Sequence, residues 1–502
     1  MTLPPPESPS RGGFRKVFTD VAGFATSQYV LRFANIIRGF VVAKLLGPAG
    51  NGMLQHFVII FEYGLHGHCG VLPGTNKRLG HQVGAGDAEE IRAAKATGLG
   101  GMVAAGGLVW LGLCAYVAIR WDSVHPVDRI GLPIVGILVI LENITNVYRA
   151  LLRAYGRIRP ISTLAVSFAA SNLVVSLALL PGLKIYGLLI GWLVTRAVTT
   201  FVFVRKSGEG FPIELRWGTL KTLLAIGLPI SAFHITRLML RNVDRVLVDT
   251  VLEKEDLGIY GLAVTLAHLV RYGADAVGFV VYPMFLRRFG ETRRPDALRS
   301  QLTAPTALLA LFVPVVLGFL YLTLHLPILW ILPQFVDSIE IFRLLTVSVL
   351  FASLAVLPGF YMMAINRQNW LIPIGFGTVV FTYAVGWQAI RAGHGLPGVA
   401  AVMDVGLALD ATIVLIISGR FAFGSVARAA GWVASTYAVP LYVAAVVAAI
   451  LAVTPRMPWG AWGETARSLT EGGVFLAVMV PVLFLVERQQ GYVARFRADR
   501  RA

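Results

Sequence analysis

The chain has 502 residues, 56% of them hydrophobic and only 14% charged, with a formal net charge of +17 and a mean hydropathy of +0.71. Soluble globular proteins carry about 25% charged residues, so the composition excludes a soluble protein, and it leaves no room for a large soluble domain. The basic excess is spread over many short loops and forms no single patch or stripe, which excludes nucleic acid as the partner.

Apolar runs of about 20 residues, long enough to cross a bilayer as helices, recur along almost the whole length. Alternating segments of about 10 residues, the mark of a membrane β-barrel, are absent. The fold class is therefore an all-α polytopic membrane protein. The opening stretch "MTLPPPESPSRGGFRK" is polar and proline-rich and has no apolar core of a cleaved signal. Residues 1–17 are expected to form a short disordered cytoplasmic tail. Fourteen spans are expected, at 18–45, 52–75, 96–119, 130–152, 161–180, 184–204, 219–248, 257–285, 302–324, 338–363, 370–390, 396–418, 431–453 and 472–487. A basic cytoplasmic tail, 488–502, closes the chain.

Loop charge tests this count. With both termini cytoplasmic, Lys77, Arg92, Arg149, Arg216 and Arg293 fall in one set of alternate loops, and the opposite set is poor in Lys and Arg. Such asymmetry supports an even number of spans. The halves also echo one another. "VVAKLLGPAGNGMLQHFVIIFEYGLHG" (41–67) aligns with "LVDTVLEKEDLGIYGLAVTLAHLVRYG" (247–273), placing Gly52 on Gly258 and Gly67 on Gly273. Two sets of six spans in one orientation make a parallel repeat about an axis along the membrane normal. The expected lobes are 18–206 and 207–420, with residues 421–487 as an added pair of spans.

The charges inside the spans carry the functional information. A charge at the centre of a membrane helix costs roughly 2.5–3.5 kcal/mol on insertion scales. In "HITRLMLRNVDRVLVDT" (234–250), His234, Arg237, Arg241, Asp244, Arg245 and Asp249 fall within roughly 140° of one another at about 100° per residue. Span 1 repeats the pattern with Gln28, Arg32, Asn35 and Arg38. Span 8 carries His268, Arg271 and Asp275, and span 2 carries Glu62 and His66. The equivalent helices of both halves thus hold polar stripes, which are expected to line a hydrated, mostly cationic cavity for an anionic substrate. A local ion-pair network that simply holds helices together is the lesser alternative for Arg241, Asp244 and Arg245, and Asp249 is expected in a loop. Glu142, Arg196, Asp404 and Asp410 are further intramembrane charges, suited to ion coupling or to structural pairing. "GLHGHCGVLPG" (64–74) spaces glycines for close helix packing beside a proline kink. Cys69 shares a face with Glu62 and His66, but no second cluster completes a metal shell, and no cofactor motif is present.

"RFANIIRGFVVAKLLGPAGNGMLQHF", the glycine-rich span 2 running into "NKRLG", and "RNVDRVLVDTVLEKEDLGIYGLAVTLAHLV" in the second half resemble the Wzx-type polysaccharide flippases of the MOP exporter superfamily. The resemblance covers nearly the whole chain. It implies a MATE-like, V-shaped pair of six-helix lobes plus two C-terminal helices, alternating between two openings and without enzymatic activity. It implies an undecaprenyl-diphosphate-linked oligosaccharide as cargo, carried from inner to outer leaflet of the bacterial cytoplasmic membrane for exopolysaccharide or O-antigen synthesis. On that footing Arg32, Arg38, Arg237, Arg241 and Arg271 are the expected diphosphate ligands, because guanidinium forks bind phosphate oxygens in pairs. Asn35, Glu62, His66, His234, Arg245, His268 and Asp275 line the cavity, and Glu62, Asp275 and Asp404 are the carboxylates for proton or sodium coupling. Membrane lipids, a polysaccharide polymerase and glycosyltransferases are the expected partners. A lipid II flippase and a multidrug or cation antiporter of the same superfamily are the alternatives; the arginine excess argues against the antiporter.

Single-cysteine labelling with an impermeant reagent tests the topology. Positions 77, 92, 216 and 293 should be protected in intact cells, and 122, 254 and 462 should react. Reaction at 293 in intact cells would overturn the arrangement.

Overall fold

The computed structural model describes residues 11–454 and 463–490, with side chains over 37–454, 463–484 and at 488, and every described element is helical. The long helices are α1 (Arg11–Gly64), α2 (Val71–Ala85), α3 (Ala88–Ile119), α4 (Pro126–Ala154), α5 (Ile158–Ser207), α6 (Trp217–Val251) and α7 (Lys254–Thr292). They continue as α8 (Arg299–Thr323), the short α9 (His325–Ile331), α10 (Ser338–Leu354), α11 (Val356–Ala364), α12 (Leu371–Arg391), α13 (Gly395–Phe423), α14 (Val426–Val453) and α15 (Gly463–Gln490). Among the described residues, eleven helices are long and apolar enough to cross a membrane. The protein is a multi-pass membrane protein, but the fourteen expected crossings are not all met as separate helices.

The differences lie at backbone breaks. α1 is two helices meeting at a non-helical break at Gly47 (φ 69°), a conformation open to glycine, and the break falls between the first two expected spans. α5 is likewise two helices meeting at a non-helical break at Lys184 (φ 50°), where the sixth expected span begins. The expected span 52–75 is not continuous. α1 stops at Gly64, a tight turn follows, and α2 starts at Val71 after two left-handed residues, Cys69 (φ 48°) and Gly70 (φ 110°). Helices also outrun their apolar runs. Lys77 and Arg92, expected in a loop, sit on α2 and α3, because Asp87 caps α3 by accepting the Glu90 N–H at 3.0 Å. Asp249 likewise belongs to α6 and pairs with Lys254 at 2.5 Å. Of the two expected tails, residues 11–17 belong to α1 and 488–490 to α15; residues 1–10 and 491–502 lie outside the described residues, as does Trp462.

The chain divides into two compact units, one up to Ile235 and one from Thr236, so the division falls inside α6. In the first, Leu79, Leu99, Tyr148, Leu151 and Phe203 knit α2, α3, α4 and α5 together, and Phe57, Val135 and Leu188 close a second apolar cluster. The segment after α5 is strapped across this unit. Buried Lys95 pairs with Glu209 at 3.0 Å, and Tyr148 donates to the Gly210 carbonyl at 2.5 Å. Tyr155, pushed up to about 12 by burial and by Glu209, stays protonated and donates to that carboxylate at 3.2 Å. In the second unit, Val315, Leu322, Val443, Phe475 and Met479 join α8, α14 and α15.

Two features of the first unit position its polar residues. α2 crosses the first half of α6 backbone to backbone: a Cβ at Gly227 would strike the Gly70 carbonyl, and one at Gly74 would strike that of Leu223. Glu142 of α4 takes Arg149 at 2.8 Å and Arg196 of α5 at 2.5 Å. The Arg196 guanidinium also lies 3.7 Å from the centre of the Phe168 ring. Glu142 and Arg196 therefore form a buried ion pair.

Gly227→Ala should lower the melting temperature of the purified protein sharply, whereas Gly80→Ala, with open space around it, should be neutral or stabilising by up to about 1 kcal/mol. Glu142→Gln strands two cations and should cost about 3–5 kcal/mol, read as loss of protein from the membrane. Normal levels and melting of Glu142→Gln would show that the pair is dispensable.

Candidate functional site

Four helices of the second unit turn polar side chains into one pocket. α6 contributes Arg237, Leu240, Arg241 and Asp244; α7 contributes Val264, Ala267, His268 and Arg271. α10 adds Leu345, Ser348, Val349 and Ala352, and α13 adds Met403, Leu407 and Asp410. On every helix the spacing is close to i, i+3 or i+4, i+7, the spacing of one helical face.

The carboxylates here are largely committed. Asp244 is 3% exposed. Its Oδ2 accepts the Tyr260 hydroxyl at 2.9 Å and its Oδ1 accepts the Arg245 N–H at 2.8 Å. Asp410, also buried, lies 3.7 Å from Arg237, a loose ion pair. Three guanidiniums facing two carboxylates leave the pocket net cationic. Its cavity is about 30 Å³, room for one or two waters. Arg237, Arg241, His268 and Arg271, grouped by helical spacing alone, are thus brought together.

Other expected residues lie elsewhere. Arg245 is buried beside this pocket and donates to the Asn242 side chain instead of lining it. Asp275 lies one turn beyond Arg271 and interacts with it electrostatically. Asp404 accepts both the N–H of Ser348, at 2.9 Å, and its hydroxyl. Arg38 is half-buried, and its Nε has no hydrogen-bond partner. The side chains of Arg32 and Asn35 lie outside the described residues.

His66 and His234 belong to a second pocket, inside the first unit. His68, Leu72, Pro73, Asn76, Lys77, Ile230 and Ser231 complete its lining around about 540 Å³. Glu62 does not line it, but its carbonyl oxygen is 3.0 Å from His66 Nδ1. The sequence reading missed His68 and Ser231. His68 is two residues from His66, a spacing that opposes side chains on a continuous helix, and only the turn after Gly64 gathers them. Ser231 gives no sequence signal at all.

Residues 111–334 match the family model described as "Polysaccharide biosynthesis protein". None of the curated proteins compared matches the chain. Among solved structures, a lipid II flippase, MurJ, in an inward closed conformation is similar with a TM-score of 0.67 and 14% identity, over 92% of this chain and 99% of that one. An inward-facing multidrug resistance MATE family transporter of the MOP superfamily is similar with a TM-score of 0.65 and 16% identity, over 77% and 93%. A MOP superfamily transporter from Pyrococcus furiosus, described as having a binding pocket of reverse polarity that suggests a different function, is similar with a TM-score of 0.53 and 16% identity, over 82% and 96%. The protein is thus a multi-pass membrane protein with the fold of the MOP superfamily transporters, and its central stretch carries the pattern of a polysaccharide biosynthesis protein.

Proposed function

We propose that the protein is a flippase that moves an undecaprenyl-diphosphate-linked oligosaccharide from the inner to the outer leaflet of the bacterial cytoplasmic membrane by alternating access, with both termini cytoplasmic. The observation that carries this reading is the pocket of Arg237, Arg241, Arg271 and His268. A diphosphate is a compact, multiply charged acceptor, and it complements several guanidinium forks converging from two helices. A cationic drug would meet a net positive wall. The polysaccharide match over 111–334 favours a glycan cargo, handed on to a polymerase after glycosyltransferases have built it. The pocket is too small for a diphosphate as it stands, so loading requires it to open and Asp410 to yield Arg237. Coupling to a proton or sodium gradient is assigned among Glu62, Asp275 and Asp404. Asp404 is favoured, because it is bonded to Ser348 of the arginine pocket.

Binding of farnesyl diphosphate to the purified protein in nanodiscs tests the site. A hydrogen bond to a charged group contributes about 1.5–3 kcal/mol, so Arg237→Ala and Arg271→Ala should each weaken binding roughly ten- to a hundredfold, with Arg→Lys restoring only part. Asp410→Asn removes the competing carboxylate and should tighten binding several-fold. Well-folded arginine variants with unchanged affinity would refute the reading. Rescue of a strain lacking its polysaccharide flippase, and not of one lacking its lipid II flippase, separates the two substrate classes.

A further inference from the structure

The turn between α1 and α2 meets the first half of α6 around the pocket of about 540 Å³. That volume lies within the roughly 300–1,000 Å³ of small-molecule sites. Its polar lining is His66, His68, Asn76, Lys77, Ser231 and His234, with no carboxylate among the lining residues.

The backbone fixes the tautomers of two of the imidazoles. His66 Nδ1 lies 3.0 Å from the Glu62 carbonyl oxygen. That oxygen can only accept, so Nδ1 carries the proton, and in that tautomer of the imidazole Nε2 is the acceptor. His68 Nδ1 accepts the Gly70 N–H at 3.1 Å, so its proton sits on Nε2, a donor. Two rings two residues apart therefore offer one acceptor and one donor. The left-handed Cys69 and Gly70 create the turn that gathers them.

Ser231 supplies an independent observation. It lines the same pocket and is 2% exposed, yet its hydroxyl has no hydrogen-bond partner. Buried hydroxyls are seldom left unbonded, because the desolvation cost is then uncompensated.

Each hydroxyl of a sugar both donates and accepts, and a vicinal pair asks for one partner of each kind. The donor and acceptor of His68 and His66 meet that demand, and the Ser231 hydroxyl adds a group of either kind. Leu72 and Pro73 offer apolar surface to the C–H face of a pyranose ring. A phosphate, which only accepts, would leave the acceptor of His66 facing an acceptor. We propose that this pocket is a saccharide subsite that binds pyranose hydroxyls; the assignment of that sugar to a lipid-linked cargo rests on the function proposed above.

The test uses the full-length protein in nanodiscs and measures affinity for three probes: farnesyl diphosphate, farnesyl diphosphate carrying N-acetylglucosamine or glucose, and the free sugars. The sugar-bearing lipids should bind about tenfold more tightly than the bare diphosphate. Ser231→Ala and His66→Leu should each remove roughly two- to tenfold of that advantage, the worth of a neutral hydrogen bond, without changing affinity for the bare diphosphate. Ser231→Ala should not lower the melting temperature, because it deletes an unbonded hydroxyl; a structural serine would lower it. Equal binding of bare and sugar-bearing lipids by the wild type, or a sugar preference intact in both variants, overturns the subsite. If neither lipid binds but the free sugars do, and both variants lose them, the subsite stands and the lipid-linked cargo falls.

Discussion

An ionised group in a bilayer must be paired with a counter-charge or given water, and that requirement sorts the buried charges of this protein. Facing lipid, each would cost roughly 2.5–3.5 kcal/mol or more. Glu142, Arg149 and Arg196 take the first solution. One carboxylate holds two guanidiniums, one of which also rests against Phe168. Such a cluster holds helices together and leaves no site for a ligand. Arg237, Arg241 and Arg271 are arranged differently: Arg237 has only the loose contact with Asp410, and Arg271 interacts electrostatically with Asp275. They converge from two helices on a pocket whose carboxylates are too few, and of these Asp244 is already engaged by Tyr260 and by the Arg245 backbone. Three guanidiniums and two carboxylates among the lining residues are the feature on which the proposed anion site rests.

The loose contact between Arg237 and Asp410 belongs to the same logic. At 3.7 Å the pair is close enough to lower the cost of burying both groups, yet longer than a good charge-assisted hydrogen bond of about 2.7–2.9 Å. A diphosphate offers several oxygens to the same guanidinium and competes well against one distant carboxylate. Displacing Asp410 in turn leaves a buried acid without that partner. On the proposed function, this one side chain would link anion binding to α13, the kind of differential contact a conformational cycle requires.

The all-α membrane class was legible in composition and apolar run length, because a bilayer demands both. The arginine pocket was legible too: Arg237 and Arg241 on α6, and His268 and Arg271 on α7, each share a face by helical spacing, and that rule holds wherever the helix is unbroken. Where the helix breaks, the rule failed. The breaks at Gly47 and Lys184 fall at expected span boundaries, but the turn after Gly64 interrupts the expected span 52–75 with no hydropathy signal. His68 was invisible as a partner of His66 because a continuous helix would have set them apart. Arg245 was misjudged for another reason. Its Cα falls within the polar stripe, but its side chain turns to Asn242, and spacing reports the direction of Cα–Cβ, not the rotamer.

α6 carries both sets of polar residues, and its two halves are held by different means. Before Ile235 it is fixed by backbone contact. Gly227 lies against Gly70, and Leu223 lies against Gly74, with no side chain between them to act as a spring. From Thr236 onward it is fixed by side chains and charges: Arg237 to Asp410, and Asp244 to Tyr260. A backbone-to-backbone crossing resists small displacements, because the close-packed atoms have no alternative arrangement nearby. A charge pair can be exchanged for another of equal sign. His234 lines the first pocket and Arg237 the second, three residues apart on this one helix.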